Sequence, residues 1–332
     1  MRSTSLLCAA LVACAGTATA HSPPLLPPKG VAALANELSG EIAKRNLEGL
    51  ARLHRQRGSQ GLHSAAELVA ERARAYGLSE VEILQFPADG RTYYGTQRSR
   101  QAWEAEQGDL TEVRDGVEHT LASYEAEPIV LAEDSESADA MADLVDVGQG
   151  TQDSDYSGKD VRGKLVLVSA QPGEVQEAAI GKFKAAGIVS YAQNQRTAWW
   201  GEDENLVRWG HLESFSANPT FAFMVSLKTA RALRERLQHG DIIKLHARVK
   251  AGQHPGYYEV VTGVIEGADP QLRQQEIAFS AAPGCIHWRC QRVLPRELFF
   301  ARGGRCARGG RAGKAVEDSF GNEPPYSSWP AG

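Results

Sequence analysis

Cysteine is scarce in this chain, and where it falls tells more than how often it occurs. Of 332 residues five are Cys. Cys8 and Cys14 sit in an apolar N-terminal run, and Cys285, Cys290 and Cys306 lie in a C-terminal stretch rich in arginine and glycine. That distribution gives no disulfide framework and no cysteine nucleophile in the body of the chain. Long apolar runs are missing too: Leu6 to Ala13 is too short to span a bilayer. Gly148-Gln149-Gly150 lacks the third glycine and the helix start of a phosphate-cradling loop, and no G-x-S-x-G elbow is present. Positive charge is also short, with a net charge of −5. The basic surplus is confined to Ala281 to Lys314, and the acidic remainder argues against nucleic acid as a partner, leaving the Arg-Gly-rich tail as the one stretch with a composition suited to RNA.

What is present is enough apolar residue, 42%, to fill one large core or two ordinary ones, and the length favours two domains. Met1-Arg2 followed by Leu6-Leu7-Cys8-Ala9-Ala10-Leu11-Val12-Ala13 has the charge and short apolar core of a secretory signal, with Ala18-Thr19-Ala20 as its cleavage site. Residues 1–20 are therefore expected to be removed and the mature protein exported, to the periplasm or beyond. The alternative is a lipoprotein anchored through Cys14, since Leu11-Val12-Ala13-Cys14 resembles a bacterial lipobox; the A-x-A site is preferred because the segment before Cys14 is short for a lipoprotein signal. Pro23 to Pro28 reads as an extended spacer.

Helical periodicity covers Val31 to Gln56 and Ala65 to Tyr76, and Glu80 to Phe86 alternates as a strand does. A second unit begins near Glu127-Pro128-Ile129-Val130-Leu131. It carries apolar strands at Leu144 to Gly148 and Leu165 to Val168, a helix-to-strand passage from Ala178 to Ser190, a strand at Phe221 to Ser226, a helix at Lys228 to Leu237, and alternation from Ile242 to Val249. Glu133, Asp134, Glu136, Asp139, Asp143 and Asp146 read as a solvated acidic face.

Arg57-Gly58-Ser59-Gln60-Gly61 ahead of the helix His63 to Arg72, then Tyr257-Tyr258-Glu259-Val260-Val261-Thr262-Gly263-Val264-Ile265-Glu266-Gly267 and Gln275 to Ser280, resemble in this order the zinc-dependent exopeptidases of metallopeptidase family twenty-eight. The unit from 127 to 250 resembles a protease-associated domain, a lid module inserted into several peptidase families. The resemblance covers most of Leu38 to Ser280. It implies an α/β fold: a zinc-exopeptidase (phosphorylase/hydrolase-like) domain, incomplete here, with an inserted α+β protease-associated domain. It also implies peptide substrates, cleaved at their N-terminal residues. In the intact family two zinc ions share a bridging aspartate and activate water, while a glutamate takes the water's proton.

The resemblance stops at Ser280. The H-x-D pair and the D-N-A-S-G-like loop expected beyond it are absent, and zinc needs donors fixed at about 2 Å. No metal ligand or catalytic residue can therefore be assigned, and zinc is expected in the intact family but not on this chain. Read one base later, codons permitted for Ala282-Pro283-Gly284-Cys285 can spell His-Leu-Asp, and those for Trp288 to Arg292 can spell Gly-Gly-Ala-Asn. The next out-of-frame codon cannot encode the expected Asp. A frameshift near Ser280 is the resulting expectation, with an inactive product and a disordered tail over 281–332; the rival reading is an ordinary disordered C-terminal tail. The expected organisation is thus a signal over 1–20, peptidase segments over 21–126 and 251–280, the insert over 127–250, and the tail.

Cys285, His287 and Cys290 read as incidental rather than metal-binding, lacking a second paired cluster. His211 and Glu213 read as a hydrogen-bonded loop pair rather than metal ligands. The remaining candidates are Trp199, Trp200 and Trp209, half of the six tryptophans, crowded into one loop; such aromatics anchor ligands at little entropic cost. They are the candidate substrate-binding residues; the alternative is a loop that packs a small core of its own. The competing function is a non-catalytic module that captures peptide or glycan on this loop.

Overall fold

The computed structural model describes residues 27–37, 40–192, 204–271, 275–281 and 297–302. In chain order the elements are α1 (Pro28–Glu37), α2 (Gly40–Ala51), α3 (Gln60–Ala75), β1 (Ser79–Ala88), β2 (Tyr93–Tyr94), β3 (Gln97–Arg98), β4 (Ala102–Arg114) and β5 (Val117–Ser123). They continue with β6 (Ala138–Gly148), β7 (Leu165–Val168), α4 (Pro172–Gln176), β8 (Gly187–Ser190), β9 (Ala222–Met224), α5 (Leu227–Gln238), β10 (Lys244–His254), β11 (Gly256–Glu266), β12 (Glu276–Ala281) and β13 (Glu297–Arg302). One compact unit ends at Glu48 and holds α1 and most of α2; everything from Gly49 onward forms the other.

In the larger unit α3 begins at Gln60, a few residues ahead of the expected start at His63. Ser59 takes the N-cap, its hydroxyl accepting from the Leu62 amide at 3.1 Å, and the last turn closes on Gly77 at φ 87°. Leu62, Ala65, Ala66, Ala70 and Ala73 form its buried stripe, small enough to let the helix approach β11 at Val261. Of the helical period from Val31 to Gln56, the structure describes α1 up to Glu37 and α2 from Gly40, and α2 stops at Ala51 rather than running on to Gln56.

Two sheets follow. The smaller has the order β1-β11-β13-β12, with β1 antiparallel to β11, β13 parallel to β11, and β12 antiparallel to β13 at the edge. The stretch after Ala281 had shown no period, yet Glu297–Arg302 is a strand; its short apolar core of Leu298-Phe299-Phe300 is a run that periodicity alone cannot assign. The larger sheet has the order β5-β4-β10-β6-β7-β8-β9, antiparallel through β6 and parallel from β6 to β9. It starts at Ala102, upstream of the expected boundary at Glu127. At Pro128–Val130 the chain makes a 3-10 turn, as a proline at the first helical position favours.

The parallel strands β7 and β8 are buried at every position, because both faces are covered. Leu165, Leu167, Val189 and Phe223 face a core that includes Leu227, Ala230 and Leu233 of α5. Val166, Val168, Ile188 and Ala222 face a second core with Val175 of α4 and Ala179 of the π-helical turn Glu177–Lys182. Alternate residues of the same strands thus fill two cores.

The chain passes between the sheets at a point with almost no side-chain volume. Ala102 pairs with His254 at the end of one ladder, and Ala88 with Gly256 at the end of the other. A Cβ on Gly58 would lie 2.5 Å from that of Ala102, and one on Gly256 would lie 2.6 Å from it.

Candidate functional site

Arg57, in the loop before α3, is 2% exposed, and Glu133 and Asp134 in the loop before β6 are likewise buried. Nη1 of Arg57 donates to Glu133 Oε1 at 2.6 Å and Nη2 to Asp134 Oδ1 at 2.5 Å, while Nε donates to the Gln101 carbonyl. A second guanidinium, Arg100, donates to Asp134 Oδ2 and, through Nε at 2.6 Å, to Ser214 Oγ, which itself donates to Asp134 Oδ2 at 2.6 Å. Tyr258 on β11 completes the frame: its hydroxyl accepts from the Arg100 amide at 2.9 Å and donates to the Arg100 carbonyl at 3.1 Å. Two cations and two carboxylates therefore neutralise one another between the small sheet and the large one. Burial pushes the Glu133 carboxyl above the usual carboxylate range, against the pull of Arg57 and Arg100, and its Oε2 has no hydrogen-bond partner.

This overturns the reading of Glu133 and Asp134 as part of a solvated face. A run of acids in sequence does not reveal that two of them turn inward, and Asp134 does so with φ at 67°, a backbone state uncommon outside glycine. Asp139 stays exposed on the surface, and Asp146 accepts from Arg234 Nε at 2.7 Å. The quartet offers no accessible reacting group. Its chemistry is that of a lock: breaking one arm leaves a buried charge uncompensated.

His54 and Tyr124 make a second tie between the loop before α3 and the end of β5. The Tyr124 hydroxyl lies 2.6 Å from His54 Nδ1, with the rings edge to face at 5.2 Å. Burial and the neighbouring Arg55 lower the His54 pKa to about 4, so the imidazole is neutral near pH 7 and accepts the phenolic proton.

Of the candidate tryptophans, Trp199 and Trp200 lie outside the described residues. Trp209 is half-buried, its ring stacked on His211 at 4.9 Å and 17°. The His211–Glu213 hydrogen bond expected from the sequence is not formed: His211 Nδ1 is buried without a partner, and burial together with Arg100 holds the imidazole pKa down. The stack with Trp209 takes its place. Gln171 and Arg208 flank this aromatic pair, bonding to each other once the Gln171 amide is turned to present its oxygen. A stacked indole beside polar groups can hold a ring or an apolar side chain. Among the described residues no group of three or more His, Cys, Asp or Glu side chains is placed to hold a metal.

A separate cleft of about 480 Å³ opens between β4, β5 and α5, lined by Glu112, Arg114, Leu121, Asn205, Ser226, Lys228, Thr229, Ala232, Leu233 and Arg236. Periodicity places the helix over Lys228 to Leu237 but gives no hint that Glu112 is buried beneath it.

The chain matches no protein-family model and no curated protein. Among solved structures it is similar to an aminopeptidase from Aneurinibacillus sp. strain AM-1, with 20% identity over 69% of this chain and 48% of that chain at a TM-score of 0.42. A peptidase precursor of family twenty-eight from Shewanella amazonensis SB2B aligns with 12% identity over 70% and 52% of the two chains, at a TM-score of 0.48. The zinc aminopeptidase BSAP from Bacillus subtilis aligns with 17% identity over 66% and 46%, at 0.41. The chain spans about half the length of each.

Proposed function

We propose that this chain is the opening part of an exported zinc exopeptidase that acts on the N-terminal residues of peptides, with the seven-stranded sheet as an inserted protease-associated module, and that the chain as written does not hydrolyse peptides. One observation carries the reading. β1 and β11 pair residue by residue from Leu84↔Val260 to Ala88↔Gly256, although the whole seven-stranded sheet lies between them in sequence. An insertion between the two arms of a single hairpin is the organisation implied by the motifs at Arg57 to Gly61 and Tyr257 to Gly267. The pairing moves the proposed boundaries of the insert outward from 127–250 to 102–254.

The metal pair implied by the motifs does not fit the side chains described here, since none of the clustered acids and histidines forms a ligand set. No step is derived through zinc. Peptide is the partner the reading implies, and no described helix is long and apolar enough to cross a membrane.

The test compares two proteins, the chain as written and one carrying the frame restored after Ser280. After dialysis against zinc, elemental analysis of the first should find no more metal than a generic histidine-bearing protein retains, because a site needs several donors already in place. The restored protein should bind zinc and cleave aminoacyl p-nitroanilides in a chelator-sensitive way. Near-stoichiometric zinc on the chain as written, or activity lost on chelation, overturns the proposal. A second reading, a non-catalytic module that captures peptide or glycan, draws on the Trp209–His211 stack; peptide pull-down with metal stripped, lost on Trp209→Ala, supports it.

A further inference from the structure

We infer that the cleft between β4, β5 and α5 binds a peptide carboxylate. Its floor is apolar, made by Leu121, Ala232 and Leu233, and its walls carry Arg114, Arg236 and Lys228 together with the hydroxyls of Ser226 and Thr229. A volume of about 480 Å³ falls within the range of small-ligand sites and suits a segment of a few residues.

The feature that turns a basic surface into a shaped site is Glu112. Its side chain is 1% exposed and its two oxygens are split between the two arginines, Oε1 accepting from Arg236 Nη1 at 2.8 Å and Oε2 from Arg114 Nη2 at 2.5 Å. A buried carboxylate held in this way fixes both guanidiniums. Each guanidinium has five N–H donors in a rigid fork, so one contact to Glu112 leaves donors for the cleft. Arg236 is oriented again from behind, Nε donating to Asp241 Oδ2 at 3.1 Å. Lys228 has no ion-pair partner among the described residues, so three cations stand against the two carboxylates of Glu112 and Asp241 and the cleft keeps a positive surplus. Fixed donors around an apolar floor favour a carboxylate attached to an apolar body over a free inorganic ion, because the floor adds desolvation that a hydrated ion cannot exploit.

A carboxylate can come from a peptide's C-terminus or from an acidic side chain, and the same titration separates them. The probes are an N-acetylated Leu-Leu-Phe peptide with a free C-terminus, its C-terminal amide, and the amide with Glu in the central position. They are titrated into the full chain by calorimetry. At least one carboxylate-bearing peptide should bind saturably while the neutral amide does not, and the pattern names the source. Lys228→Gln, on an exposed side chain, should weaken binding by about tenfold, as loss of one charge-assisted contact does. Arg114→Gln should do the same. Equal affinity for the amide and the acid overturns the inference, as does an affinity that Lys228→Gln and Arg114→Gln leave unaltered. The measurement uses the chain as written and needs no hydrolysis, so its outcome is independent of the peptidase reading.

Discussion

At the scale of single residues, burial decides what each charge does. Removing the Arg57 side chain leaves Glu133 and Asp134 buried with only Arg100 to neutralise them, so Arg57→Ala should cost about 3–5 kcal/mol. Urea unfolding checks the value. Glu133→Ala in the same background should restore part of the loss, and additive costs would show that the pair is not coupled. His54 gives a pH dependence of known sign. Its folded pKa, about 4, lies below the ordinary histidine value of about 6.5, so the unfolded chain binds the extra proton first. Its contribution is fully present above pH 6.5, falls as pH drops through the window between the two values, and is lost once the folded pKa is passed. His54→Gln should therefore flatten the dependence of the urea midpoint between pH 7 and pH 4, with little change in slope above pH 7. An unchanged slope in the acid window would remove His54 as its cause.

At the scale of elements, what the sequence discloses depends on whether a segment's neighbours are local. The alternation along β10 and the apolar runs of β7 and β8 are written in adjacent residues, and those elements form close to where the pattern places them. Glu133 and Asp134 are written nowhere nearby, since their partners Arg57 and Arg100 lie far upstream in the chain. The same holds for Glu112, whose burial depends on Arg236 of α5. Trp209 was legible as an aromatic beside its loop, but the stack on His211 was not. The edge strand β12 makes its own prediction. Ile277 is 62% and Phe279 61% exposed, and alternate positions put both on one face. With backbone groups unpaired along the edge, this strand is a template for association between copies. Ile277→Lys should reduce concentration-dependent association in sedimentation velocity; an unchanged sedimentation profile would place the contact elsewhere.

At the scale of the whole molecule, the two sheets differ in how complete they are. The parallel strands of the seven-stranded sheet have helical cover on both faces and border two filled cores, whereas among the described residues α3 is the helix that packs on the four-stranded sheet. Expressed separately, residues 102–254 should give a cooperative thermal transition. The remainder, joined by a short linker in place of the insert, should give none, because its open face and edge lack the layers that stabilise an α/β sheet. A sigmoidal melt for the remainder with none for 102–254 would reverse the assignment of which part is self-sufficient.

The contact of Gly58, Ala102 and Gly256 has a further consequence for how such a chain can be assembled. Ala102 and His254 face each other on one ladder, so both ends of the seven-stranded module emerge side by side, through an opening too small for any larger side chain. A module whose ends meet is a cassette: a gene segment can be spliced into a hairpin at that spot, or lifted out and replaced by another of similar span, without altering the register of β1 against β11. The small residues at the opening are the fitting that makes the exchange possible, and a cassette that brought a bulky residue to position 102 would spread the hairpin it enters.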